Sequence, residues 1–182
     1  MYKKSKNDKK IHLDGGISNM HIQPNTVNKN NPKHIILYAG SLTKWGGVNS
    51  LIEAFKLIKR EDIELWICGP GKNSLVESES SAKKNIKYLG FLTKSKLDET
   101  YKKASIFVNP RPSSVIGNEY NFPSKLFEYL SYLKPIVSTK TPGISPEYEK
   151  VLLLSEDESP SAISEKIVEV LEWDEIKKST QS

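Results

Sequence analysis

The sequence predicts an α/β protein in which a six-stranded parallel sheet is covered by helices on both faces. Six short apolar runs alternate with stretches of helical spacing. The runs are predominantly apolar, as strands of a sheet covered on both faces require. Several of them close on glycine or proline, at Gly40, Gly69-Pro70-Gly71 and Gly90, which marks the change from strand to loop.

Taken in order, the chain divides into a polar tail and linker over residues 1–33, a folded domain over 34–174 and a polar tail over 175–182. Residues 11–13 are a short apolar piece that leads into Asp14-Gly15-Gly16, read as a strand end and a turn. Residues 25–31 hold four asparagines between Pro24 and Pro32 and have nothing to bury. The first strand is 34–39 (HIILYA), and helical spacing follows over 48–58 through Leu51, Ile52, Phe55 and Ile58. The second strand is 63–68 (IELWIC), followed by a polar helix over 74–84. The third strand, 86–89, precedes a helix over 94–104 with Leu97 and Tyr101 four residues apart. The fourth strand, 105–109, runs into an irregular segment over 110–122. Strands at 135–138 and 151–154 complete the set, and a capped helix over 159–173 presents Ile163, Ile167, Val170 and Leu171 on one face.

The stretch NFPSKLFEYLSYLKPIVS, residues 121–138, packs a helix start, an amphipathic helix and a buried strand together. Asn121 or Phe122 caps the helix, and Pro123 suits its first position because proline has no N–H to leave unpaired. Leu126, Leu130 and Leu133 recur on one face, and Lys134-Pro135 ends the helix. At about 100° per residue, Ser124 and Glu128 fall opposite that stripe. Pattern alone leaves Glu128 either solvated or facing a ligand. It likewise leaves the helix start beside Ser124 and Lys125 either empty or holding a phosphate.

Composition excludes several classes. The chain has 182 residues, 37% apolar, and no run long enough for a membrane span. No apolar segment follows the lysine-rich start MYKKSKNDKK, so the expected location is cytoplasmic, with any membrane contact peripheral. Net charge is +5, but five lysines lie in the first ten residues and no nucleic-acid motif accompanies them. Nucleic acid is therefore not an expected partner. The single Cys68 sits in an apolar run and reads as a core thiol, and His12, His21 and His34 lack the spacing of a metal site.

Four stretches resemble a known family in their order and spacing. They are YAGSLTKWGGVNSLIEAF (38–55), ICGPG (67–71), IKYLGFL (86–92) and VNPRP…NFPSKLFEYLSYLKPIVST (108–139). Together they resemble the C-terminal half of retaining, nucleotide-sugar-dependent glycosyltransferases of the two-domain GT-B type, family 4. HLDGGIS (12–18) resembles the crossing between the two halves. The resemblance implies a single Rossmann-like domain that holds a nucleoside-diphosphate sugar, with no cofactor and no metal.

Carried onto this sequence, the resemblance makes Glu128 the second Glu of the family's E-x7-E motif, which holds the ribose hydroxyls. Arg111 and Lys125 are then expected at the diphosphate, assisted by backbone N–H groups around Pro123, Ser124 and Leu126. Phe91 and Leu92 match the loop against the base, and Gly40 and Ser41 match the glycine-rich turn near the phosphates. The motif's first Glu position holds Tyr120, with Glu119 beside it. Ser41 and Gly46 stand where the family usually carries an Arg and a Lys.

The family binds its acceptor, and carries a histidine near the reacting sugar, on an N-terminal domain that these 182 residues do not include. The implied function is the donor half of an enzyme building bacterial surface polysaccharide or a similar glycan, inactive alone and without a catalytic residue of its own. Two other readings stand beside it. One is a non-catalytic subunit or remnant that pairs with a separate N-terminal glycosyltransferase domain, through an apolar patch fed by Met20, Ile22 and Trp173. The other is half of a different nucleotide-binding protein such as a sugar-nucleotide epimerase, which requires a carboxylate or histidine in the cleft.

Overall fold

The computed structural model describes residues 33–118 and 122–179, so the expected turn near Gly15, the linker and the positions of Glu119 and Tyr120 lie outside the described residues. The elements in order are β1 (His34–Ala39), α1 (Val48–Leu57), β2 (Ile63–Cys68), α2 (Ser74–Ala82), β3 (Ile86–Tyr88) and α3 (Lys94–Lys103). They continue with β4 (Ile106–Asn109), α4 (Lys125–Leu130), β5 (Ile136–Ser138), α5 (Pro146–Glu149), β6 (Leu153–Leu154) and α6 (Pro160–Ser179). The six strands form one sheet in the order β3-β2-β1-β4-β5-β6, and every pairing is parallel.

The continuous apolar runs serve two cores. Side chains alternate across a strand, so Ile36 and Tyr38 of β1 point to one face and Leu37 and Ala39 to the other. The first core joins Leu51, Ile52 and Phe55 of α1 and Val76 of α2 to Ile163, Ile167, Val170 and Leu171 of α6. The second joins Tyr101 of α3 and Leu126 and Tyr129 of α4 to Phe107, Tyr132 and Ile144. Ile36 and Leu37 are completely buried, so truncating either to alanine costs about 2–5 kcal/mol.

Two capping devices set helix ends. Ser159 Oγ accepts from the Ala162 N–H at 3.2 Å, and the Asp157 carboxylate accepts from the Ser159 N–H at 2.7 Å, which starts α6 where the sequence places it. α6 then runs past Trp173 to Ser179. At the other face, Lys134 Nζ donates to the carbonyls of Tyr101, Lys102 and Ala104 at 3.0, 2.6 and 2.7 Å. A cation thus satisfies the orphan acceptors where α3 ends.

The helix after the irregular segment differs from its expected form. It begins at Lys125, two residues after Pro123, and its last residue is Leu130. Leu133 then turns to φ 53 and is 56% exposed, while Tyr129 and Tyr132 take the core positions beside Leu126. The leucine stripe assumed a straight helix to residue 133; a left-handed turn at Leu133 rotates that side chain out to water. Pro146–Glu149 forms a short helix where none was expected, and β6 contracts to two residues.

Candidate functional site

Strand order reverses between β1 and β4, which pair only at Ile36 and Leu37 before diverging. In doubly wound sheets such a switch point opens a crevice at the carboxyl ends of the strands. Here the crevice has two adjoining lobes. The first, of about 350 Å³, is lined by residues of the loops after β1 and β4 and of the segment entering α4, including Tyr38, Trp45, Asn109, Arg111, Phe122 and Pro123. The second, of about 360 Å³, lies over the ends of β2 and β3 against Cys68, Gly69, Pro70, Phe91, Leu92 and Leu97. Gly40, Ser41, Ser124 and Lys125 border both.

The loop after β1 is shaped by close backbone approach. Tyr38 Oη donates to the Ser41 carbonyl at 2.6 Å and folds the loop back over the strand end. A Cβ at Gly46 would lie 2.0 Å from Tyr38 Oη and 2.2 Å from the Ser41 carbonyl oxygen. The position that usually carries a lysine in the resembling family therefore has no room for a side chain. Gly47 adopts φ 73, and a Cβ there would meet the Pro110 carbonyl oxygen at 1.8 Å. These contacts press the loops after β1 and β4 together at the crevice.

Arg111 is held in place by a residue that sequence reasoning passed over. Its Nε donates to Asn118 Oδ1 at 2.6 Å, and Asn118 Nδ2 donates to the carbonyls of Pro112 and Trp45 at 2.7 and 3.2 Å. Asn118 is completely buried. Thr139 Oγ1 donates to the Arg111 carbonyl at 2.6 Å, tying its backbone to the end of β5. Burial lowers the Arg111 pKa, but a guanidinium keeps its charge in proteins, so the first lobe has a fixed cation on its wall. Burial raises the Tyr38 hydroxyl, an effect the Arg111 charge partly opposes. In the second lobe burial pushes the Cys68 thiol up to about 11, so it stays neutral near pH 7.

Lys125 and Glu128 face each other one turn apart on α4. Lys125 Nζ donates to both Glu128 carboxylate oxygens at 2.9 Å, and the buried Tyr101 hydroxyl donates to Oε2 at 2.9 Å. Burial holds the Tyr101 hydroxyl far above its ordinary pKa, so it acts as a donor.

Of the residues the sequence singles out, Gly40, Ser41, Arg111, Ser124, Lys125, Phe91 and Leu92 meet around the crevice. Leu126 does not: its side chain is in the core, and its N–H is donated to the Pro123 carbonyl at 2.9 Å. Glu128 borders neither lobe and reaches the site through its ion pair with Lys125. Besides Asn118, Tyr38, Trp45 and Asn109 line the crevice and Tyr101 supports Glu128, all without a site signal of their own in the sequence. A lone amide in an unpatterned loop reads as a turn residue, and a buried tyrosine on a helix reads as core. Among the described residues no three His, Cys, Asp or Glu side chains cluster as a metal site.

The crevice and the strand order define the class as a Rossmann-like α/β domain with a cleft at the switch point. The family of glycosyl transferases group 1 matches residues 33–172, and the chain belongs to it. No curated protein sequence matches the chain. Among solved structures, the C-terminal domain of a glycosyl transferase group 1 family protein from Francisella tularensis is similar at 18% identity and a TM-score of 0.64, covering 86% of this chain and 88% of that one. The catalytic domain of cholesterol-α-glucosyltransferase from Helicobacter pylori is similar at 22% identity and a TM-score of 0.61, with 81% and 92% covered. The Anabaena protein HepE, solved in complex with UDP-glucose, is similar at 14% identity and a TM-score of 0.58. The match covers 79% of this chain and 40% of that one. At these identities the likeness is one of fold, that of the C-terminal half of GT-B enzymes. Among the described residues no helix is long and apolar enough to cross a membrane.

Proposed function

We propose that this chain is the donor-binding half of a family 4 retaining glycosyltransferase and holds a nucleoside-diphosphate sugar in the crevice between β1 and β4. The observation that carries this reading is the meeting of two cations, Arg111 and Lys125, with an apolar second lobe at Phe91 and Leu92. Diphosphate seeks the cations and a nucleobase seeks the apolar lobe. Gly40 and Ser41 lie between, where backbone can approach phosphate closely. Glu128 is the group for the ribose hydroxyls, which an ionised carboxylate accepts well.

In sugar transfer, the diphosphate leaves as the glycosidic bond forms, and negative charge grows on its oxygens. Arg111 and Lys125 stabilise that charge. The helix start contributes less than the sequence suggests, because α4 has only six residues and the Leu126 N–H is already donated within the turn. The acceptor and the group nearest the reacting sugar belong to an N-terminal half, since transfer needs both substrates in one closed cleft. The pathway we assign is bacterial surface polysaccharide synthesis in the cytoplasm.

Calorimetry with uridine, guanosine and adenosine diphosphates tests the reading. Binding of at least one is expected, and no binding of any at millimolar concentration overturns it. The exposed side chains of Phe91 (79%), Ile116 (82%) and Trp45 (41%) on the loops around the cleft favour a second reading, a subunit that pairs with a separate N-terminal domain. Trp173, at 45% exposed, lies on α6 and adds to the apolar surface, while Met20 and Ile22 lie outside the described residues. Co-purification with such a domain, and activity only in the complex, distinguishes a split enzyme from an inert fragment.

A further inference from the structure

We infer that the Lys125–Glu128 ion pair is a latch that links the phosphate and ribose parts of the cleft, so that each part of the ligand opens the site for the other. This deepens the nucleotide reading and rests on it. Lys125 borders both lobes of the cleft, and Glu128 borders neither. The lysine therefore touches both the ligand space and the carboxylate, which is itself 44% exposed beside it.

The acceptor capacity of Glu128 makes the contact exclusive. A carboxylate has about four lone-pair sites. Two are used by Lys125, at 2.9 Å to each oxygen, and a third by the Tyr101 hydroxyl at 2.9 Å on Oε2. One remains, and the two hydroxyls of a ribose need two. Tyr101 is buried and packed edge-on against Phe107, Tyr129 and Tyr132, so it does not yield its place. Lys125 is partly exposed, at 38%, and its long stem turns freely. It is the partner that moves.

A diphosphate in the cleft draws Lys125 Nζ away from Glu128 and returns two acceptor sites to the carboxylate. A ribose bound to Glu128 displaces Lys125 toward the phosphates in the same way. The linkage is reciprocal, as any coupling between two binding events must be. In the empty site Glu128 serves as the counter-anion of Lys125, which lowers the affinity for anions that carry no ribose. Tyr101 acts as a positioning residue that keeps the carboxylate at the wall after the lysine leaves.

The test uses the full chain, two variants and two ligand fragments, read by calorimetry with circular dichroism as the fold check. Both side chains are partly exposed, so Glu128→Gln and Lys125→Met are expected to fold. Glu128→Gln should bind inorganic pyrophosphate about two- to fivefold tighter than the wild type, the range an exposed ion pair permits. It should bind the nucleoside diphosphates more weakly. Lys125→Met should bind uridine, guanosine or adenosine more tightly, whichever base the wild type accepts, and the corresponding diphosphate more weakly. Unchanged or weaker pyrophosphate binding by Glu128→Gln overturns the latch while leaving nucleotide binding intact. A wild-type chain that binds no nucleoside diphosphate overturns both readings together.

Discussion

The hydroxyl of Tyr129 meets both backbone groups of Ala39, accepting from its N–H at 2.9 Å and donating to its carbonyl at 3.2 Å. Ala39 is the last residue of β1, beyond the two positions where β1 pairs with β4. Its other side is the β2 side, where the next residue, Gly40, donates to the Cys68 carbonyl at 3.0 Å. A helix side chain thus takes the place of a strand neighbour at the fork where the cleft opens.

Tyr129→Phe keeps the ring, stacked on Phe107 at 4.5 Å, and removes only the hydroxyl. Two buried backbone groups then lose their partner, so a loss of about 1–3 kcal/mol is expected in urea unfolding. If the stability is unchanged, the fork is held by packing alone.

Gly46→Lys restores the residue type usual in the resembling family and is expected to harm the protein. Its Cβ would fall within 2.2 Å of both Tyr38 Oη and the Ser41 carbonyl oxygen, a clash costing about 1–3 kcal/mol or more. Adding Tyr38→Phe removes the hydroxyl but leaves the Ser41 carbonyl, so the double variant should stay destabilised. A thermal melt of both variants at or above the wild-type midpoint contradicts this loop geometry.

Asn118→Ala removes the acceptor of Arg111 and the donor to the Pro112 and Trp45 carbonyls at once. The expected cost is about 1–3 kcal/mol of stability, since three part-buried hydrogen bonds are lost together. Nucleoside-diphosphate affinity should fall as well, because the guanidinium loses one of the contacts that aim it. Weakened unfolding with unchanged affinity would show that Arg111 does not meet the ligand.

Much of the fold was legible in the residues themselves. Six apolar runs, the helical spacing between them and the glycines that close them gave the element order, the parallel sheet and the faces of α1, α3 and α6. These are local properties: a strand buried on both sides must be predominantly apolar, and a helix on one side must carry a stripe. The site residues Arg111, Lys125 and Glu128 were legible only through the resemblance of the motifs.

What the chain could not state locally was decided by tertiary structure. Leu133 looks like a core leucine until the backbone turns at φ 53 and Tyr132 takes the core position. Glu128 reads as a solvated carboxylate until α3 brings Tyr101 beside it from 27 residues away. Gly46 reads as a missing lysine until Tyr38 folds the loop back and leaves no space. Sequence by itself determined the described strands, the described helices other than Pro146–Glu149, and what charges they carry. The lack of room at Gly46 comes from how the loop after β1 folds back on itself. The position of the cleft, the Tyr101 partner of Glu128 and the Trp45 and Thr139 contacts of the Arg111 loop depend on distances between segments far apart in the chain, which only the assembled sheet sets.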